Sequence, residues 1–248
     1  MMDIMFYISL IGITFLIAGT VKGVIGLGLP TVAMGILGTL MPPSQAAALL
    51  IVPSLVTNVW QLFSGSHVTT LLRRLWPMLL AVCLGTWFGT GIMAGESAAW
   101  TSPLLGILLM VYASIGLANR QWRISGRSEP WLGPAAGLLT GAITGATGVF
   151  VIPAVPYLTA LSLERDDLIQ ALGLSFTVST VALAASLAQH DLLTVHSLGL
   201  SLFAIIPALA GMFIGGYLRA KISPVLFRRC FFLGLLALGA EITLQHLR

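Results

Sequence analysis

Between Ile4 and Met41 the chain carries one charged side chain, Lys22, among Gly19, Gly23, Gly26 and Gly28 in the stretch AGTVKGVIGLGLP. An ammonium in so apolar a run marks a functional site by default, because a charge in hydrocarbon persists only where protein or ligand groups compensate it. The glycines have two readings: they expose backbone N–H groups to a ligand, or they let two helices approach closely. In the second half of the chain, LLTGAITGATGVFVIP carries Gly141, Gly145 and Gly148 at the spacing of Gly19, Gly23 and Gly26, with Thr144 at the place of Lys22. Two such breaks facing one another would offer an anion the charge of Lys22 and backbone near Gly23, Gly26, Gly28, Gly145 and Gly148. The hydroxyls of Thr20, Thr31, Thr140, Thr144 and Thr147 would bond its oxygens. Asn58 and Gln61, about a turn apart, and Ser175 complete the candidate substrate contacts, with Gln170, Thr177 and Ser179 in the same class. For these polar residues an interhelical hydrogen bond is the competing reading, as interfacial snorkelling is for Lys22.

The carboxylates speak for an anion. All 8 of them, Asp3, Glu96, Glu129, Glu164, Asp166, Asp167, Asp191 and Glu241, fall in loops or near expected helix ends, whereas a cation site or proton relay needs one at depth. Glu164 to Asp167 suit the start of a helix. Neither HExxH nor GxSxG occurs, so no enzyme, cofactor or metal is expected. His190, Asp191 and His196 are read as a solvated loop, and Cys83 and Cys230, widely separated in apolar runs, as buried packing residues.

The elements that must position these groups follow from composition. With 57% hydrophobic and 8% charged residues and a mean hydropathy of +1.00, the 248 residues cannot cover a soluble globule and predict an all-α polytopic membrane protein. The net charge of +4 lies in loops, where it sets orientation and implies no nucleic acid. Met1 to Met5 lacks Lys and Arg, so the first apolar run is expected to be a retained membrane segment. Two arms, 4–21 and 24–41, flank the first break. Helices are then expected at Gln45–Phe63, after Pro42-Pro43, at Leu75–Ala94 and at Trp100–Asn119, with a polar loop Ser64–Arg74. The polar stretch NRQWRISGRSEP divides the chain into a first repeat, 4–119, a cytoplasmic linker, 120–130, and a second repeat, 131–246, within one membrane domain. Gly211 and Gly215 match Gly85 and Gly89 as GxxxG pairs, for which packing is the better reading.

Orientation comes from the basic residues. Placing Arg73, Arg74, Arg120, Arg123, Arg127, Arg219, Lys221, Arg228 and Arg229 in the cytoplasm puts the Glu96 loop and the His190–His196 loop outside. Equivalent loops then face opposite sides, the pattern of inverted-topology repeats, each a glycine-broken helical hairpin plus three transmembrane helices, about 8 full helices or ten segments in all. Both termini are then outside.

GTVKGVIGLGLP, its echo GAITGATGVFVIP after a basic linker, PPSQAAAL and the paired GxxxG segments resemble the TauE/SafE family of sulfite and sulfonate exporters, also called the toluene sulfonate uptake permease family. The resemblance spans nearly the whole chain. It implies transport of small sulfur-containing anions such as sulfite, sulfonate or sulfoacetate across a bacterial inner membrane. An anion channel, an uptake permease and a membrane scaffold are the alternatives, and a scaffold would leave Lys22 without a task.

Overall fold

In the computed structural model, which describes residues 2–95, 99–118 and 123–245, the chain is helical throughout and no strand forms among the described residues. Glu96 and Arg120, on which part of the orientation argument rests, and Asn119, the expected end of a helix, lie outside them. The first half runs α1 (Met2–Ile25), α2 (Leu29–Leu37), α3 (Pro43–Leu62), α4 (Val68–Ala94) and α5 (Thr101–Ala118). The second runs α6 (Glu129–Thr147), α7 (Ala154–Ala160), α8 (Arg165–Gln189), α9 (Val195–Phe203), α10 (Ile205–Arg219) and α11 (Pro224–Gln245). Counting Val195–Arg219 as one span across α9 and α10, six helices among the described residues are long and apolar enough to cross a membrane, so the chain is a multi-pass membrane protein.

Three expectations need correction. The first arm does not end before Lys22: α1 continues through Gly23 to Ile25, and the break falls at Gly26 to Gly28. The glycine that breaks the helix is the one that takes a left-handed backbone, Gly26 at φ 78°, whereas Gly19 and Gly23 stay helical because a neighbouring helix lies against them. Likewise Arg73 and Arg74 belong to α4, which starts at Val68, so the loop before it is short. The thiols of Cys83 and Cys230 are exposed on α4 and α11. In a membrane protein the outer surface is as apolar as the core, so an apolar run does not tell which side a cysteine faces.

Two parallel glycine seams hold the halves together. A Cβ on Gly19 or Gly23 would stand 2.1 or 2.2 Å from the carbonyl oxygen of Ala208 or Met212, and one on Gly211 or Gly215 would stand 2.1 Å from that of Leu16 or Thr20. Only the missing side chains let α1 and α10 lie backbone to backbone. The same seam recurs between α4 and α6, where Gly85, Gly89, Gly141 and Gly145 meet the carbonyls of Leu138, Ala142, Val82 and Thr86. Two further pairs run antiparallel. Along α3 and α8, Asn58 meets Thr180 while Gln61 and Leu62 meet Ile169 and Gln170. Along α5 and α11, Gly106 lies against Gly239 and Thr243 while Tyr112 stacks edge-on against Phe232.

Pro53, inside α3, removes the N–H that would have bonded the Leu49 carbonyl. The Ser201 hydroxyl on α9 takes over, donating to Leu49 O at 2.8 Å and accepting from Val52 N at 3.1 Å. The carbonyl that Pro53 leaves without an intrahelical partner is thereby satisfied by the second half.

Candidate functional site

Lys22 sits in the last turn of α1, 4% exposed, and is the one charged residue in the buried set of the described residues. Its ammonium donates to Thr57 Oγ1 at 3.1 Å and to Asn58 Oδ1, both on α3. Thr57 is free to accept because its own hydroxyl proton goes back to the Pro53 carbonyl at 2.8 Å. Asn58 passes the contact on: its Nδ2 donates to Thr180 Oγ1 on α8 at 3.3 Å, and Thr180 donates to Phe176 O at 2.7 Å. A chain of polar contacts thus runs from the first-half cation to the second half through neutral groups only. Both acceptors of the Lys22 nitrogen, a hydroxyl and an amide oxygen, are neutral, so neither supplies a countercharge.

The other candidate residues separate into groups. Gly26 and Gly28 lie at the break, Gly28 at φ 107° capping α2, and a Cβ on Gly26 would meet nothing within 4 Å, so the space beside that backbone is open. Gly148 ends α6 with φ 75°, and a Cβ on it would stand 3.0 Å from Met34 Sδ of α2, so the second break rests on the first half. Gly23 and Gly145 face the seams described above and have a packing reason to be glycine. Thr20 returns its hydroxyl to Leu16 O at 2.8 Å, with its backbone on the α10 seam. Thr144 and Thr147 are fully buried and bond the carbonyls of Thr140 and Ile143, and Thr31 bonds Gly28 O. Gln61 donates to Ile169 O at 3.0 Å and Gln170 to Leu62 O at 2.7 Å, which makes them ties between α3 and α8. Ser175 is buried with no partner for its hydroxyl.

Thr57 and Thr180, which touch Lys22 and Asn58, are the members of the network that sequence reasoning passed over. A signal existed: Thr180 stands 122 positions after Asn58, the offset that relates the two glycine motifs. Away from the network, Arg74 grips Glu129 of α6 with both carboxylate oxygens at 2.6 and 2.8 Å, and His67 Nδ1 lies 2.7 Å from Asp167 of α8. Both pairs join first half to second.

No curated protein and no solved structure matches the chain. A family model described as sulfite exporter TauE/SafE matches residues 11–242.

Proposed function

The chain belongs to the sulfite exporter TauE/SafE family of membrane transporters, and from that premise we propose that it is a secondary exporter of a small sulfur oxyanion, sulfite or a sulfonate, held by Lys22. The observation that carries this is the buried ammonium with only neutral acceptors, Thr57 and Asn58. An oxyanion replacing either acceptor supplies the missing countercharge, and the hydroxyl and amide can then turn to its oxygens. Because Asn58 also reaches Thr180, binding at Lys22 is felt by both halves.

The halves are proposed as inverted repeats, 4–119 and 131–246, joined by a cytoplasmic linker, with both termini outside a bacterial inner membrane. Supporting this, α3 and α8 are equivalents in the two halves and touch antiparallel, as do α5 and α11. A two-fold axis lying in the membrane plane relates helices that way, and one along the membrane normal would make them parallel. Such an arrangement allows the halves to rock about the Asn58 and Thr180 contact. Export follows the inside-negative potential, which drives a monovalent anion outward by about 2.3 kcal/mol per 100 mV.

Flux in proteoliposomes under an imposed potential tests the reading, with labelled sulfite, taurine and thiosulfate, and with chloride and ammonium as controls. Saturable sulfur-anion flux that disappears in a folded Lys22→Ala variant is the expected result; non-saturating flux would mean a channel, and wild-type rates in the variant would remove Lys22 from the mechanism.

A further inference from the structure

Resting on the reading of Lys22 as the cation of the anion site, we infer that the second half adds an uncharged hydroxyl subsite, built on Ser179 with Thr140 and Ser175, that takes the oxygens of the transported anion and selects an oxyanion over a halide. The starting point is an irregularity among the buried hydroxyls. Inside a helix a Ser or Thr readily satisfies itself by donating to the carbonyl four residues back. Thr57, Thr86, Thr90, Thr144, Thr147 and Thr180 all do so. Six among the described residues do not, Thr14, Ser54, Thr140, Ser175, Ser179 and Ser186: each is buried and its oxygen has no hydrogen-bond partner. Of these, Thr140, Ser175 and Ser179 are completely buried and lie on α6 and α8. Ser175 and Ser179 stand one turn apart on α8, and Thr140 is on α6, which packs against α8; buried hydroxyls that decline the available local bond are free for another acceptor.

Their register places them. Thr144, Ser179 and Thr180 each follow Lys22, Thr57 and Asn58 by the 122 positions that separate Asn58 from its partner Thr180. In the first half, neighbours 57 and 58 converge on one point, the Lys22 ammonium. Ser179 and Thr180 repeat that turn of helix on α8, and the residue at the corresponding corner is the shorter Thr144. Ser175 lies one turn before Ser179 and Thr140 one turn before Thr144, on the same faces. The corner is therefore lined by hydroxyls where its counterpart holds a cation, and Asn58 to Thr180 connects the two.

The chemistry of such a set is specific. Each hydroxyl donates one hydrogen bond, and three of them match the three oxygens of sulfite or of a sulfonate head, whereas a halide gains no such directional match. Because the hydroxyls carry no charge, they add selectivity without the tight hold that a second cation would give.

The test compares Ser179→Ala, Ser179→Thr, Thr140→Val and Lys22→Ala in proteoliposomes, reading KM and kcat for sulfite, the sulfite-to-chloride flux ratio, and the melting temperature in detergent. Ser179→Ala is expected to raise the sulfite KM about fivefold with little change in kcat, and to lower the flux ratio by a similar factor. Removal of an unpartnered buried hydroxyl should leave the melting temperature unchanged or higher, and Ser179→Thr should restore KM. Thr140→Val, of near-equal volume, reads the subsite independently should Ser179→Ala fail to fold. Unchanged KM and flux ratio in Ser179→Ala and Thr140→Val, with Lys22→Ala inactive, would overturn the subsite and leave the cation reading standing. A lowered melting temperature with unchanged KM would assign Ser179 to packing and overturn it too. Full flux in Lys22→Ala, or no sulfite flux in the wild type, would overturn the reading beneath it.

Discussion

The ends of α1 and α6 are the same piece of backbone carrying different chemistry. In each, the last helical turn closes with a glycine in the left-handed region, Gly26 at φ 78° and Gly148 at φ 75°, whose N–H donates 2.7 Å to the carbonyl four residues back. That carbonyl belongs to Lys22 in one and to Thr144 in the other. A left-handed turn needs glycine in both places, while nothing in the turn depends on the side chain four residues earlier. The turn is thus found twice and the charge once. In the proposed mechanism one cation serves one anion; a second would double the electrostatic hold and slow release.

Making the halves alike is the sharpest way to break this comparison. Lys22→Thr leaves the turn intact and removes the only buried charge among the described residues. Sulfur-anion flux is expected to fall about 100-fold or more, the equivalent of roughly 3 kcal/mol for losing a charged hydrogen-bond donor, with insertion and melting temperature retained. Moving the charge, in Lys22→Thr combined with Thr144→Lys, should recover part of the flux, since the second corner has the same backbone. No recovery would mean that the halves differ by more than this side chain.

The backbone side of the comparison is tested at Gly23 and Gly145. A Cβ at Gly23 would stand 2.2 Å from Met212 O and one at Gly145 2.3 Å from Thr86 O, each too close to tolerate. Gly23→Leu and Gly145→Leu are expected to destabilise by a similar amount, about 2 kcal/mol each by overpacking, read as matched losses of thermal stability in detergent. Unequal losses would show that the two seams are not equivalent.

How much of this could be read before the fold was known follows from what kind of signal each residue gives. Lys22 and Asn58 stand out because polar groups in apolar runs are costly, and the recurring glycine spacing stands out because a left-handed turn repeated in the backbone needs glycine at both places. The end of α1 was misplaced because glycine's letter is the same whether it turns the chain, as Gly26 does, or receives another helix, as Gly19 and Gly23 do. Cys83 and Cys230 were misread as buried because lipid and protein interior select the same residues. Thr57 and Thr180 were passed over because a threonine in a helix is ordinary until its neighbour is known to hold a lysine.

A smaller effect is expected at the contact between the halves. Asn58→Asp keeps the shape of the residue that accepts from Lys22 but places a carboxylate on the ammonium. The site is then neutral and anion flux should drop about tenfold, a cost of roughly 1.4 kcal/mol. Thr180→Val removes the acceptor for Asn58 Nδ2 and the hydroxyl's local bond to Phe176 O, and should cost about twofold to fivefold, in line with the loss of a neutral contact between halves. Measuring both against sulfite concentration separates a loss of charge, which raises KM, from a loss of contact between halves, which lowers kcat.

The least effect is expected where the halves meet near the start of α8. His67 is raised above its ordinary value of 6.5, first by its hydrogen bond to Asp167, then by the charges of Asp167 and Glu164. A histidine held protonated in the folded protein contributes stability that is full below 6.5 and fades as pH rises through the raised value. Asp167→Asn should therefore lower the melting temperature slightly at pH 5.5, and the gap from wild type should close in the alkaline range once His67 is neutral. The pair is exposed and salt screens it, so the same gap should shrink as ionic strength increases. A gap independent of both pH and salt would show that Asp167 acts through its place in the first turn of α8 and not through His67. The Arg74 pair with Glu129 would then be the remaining ionic tie between the halves among the described residues, at the end where α4 and α6 begin.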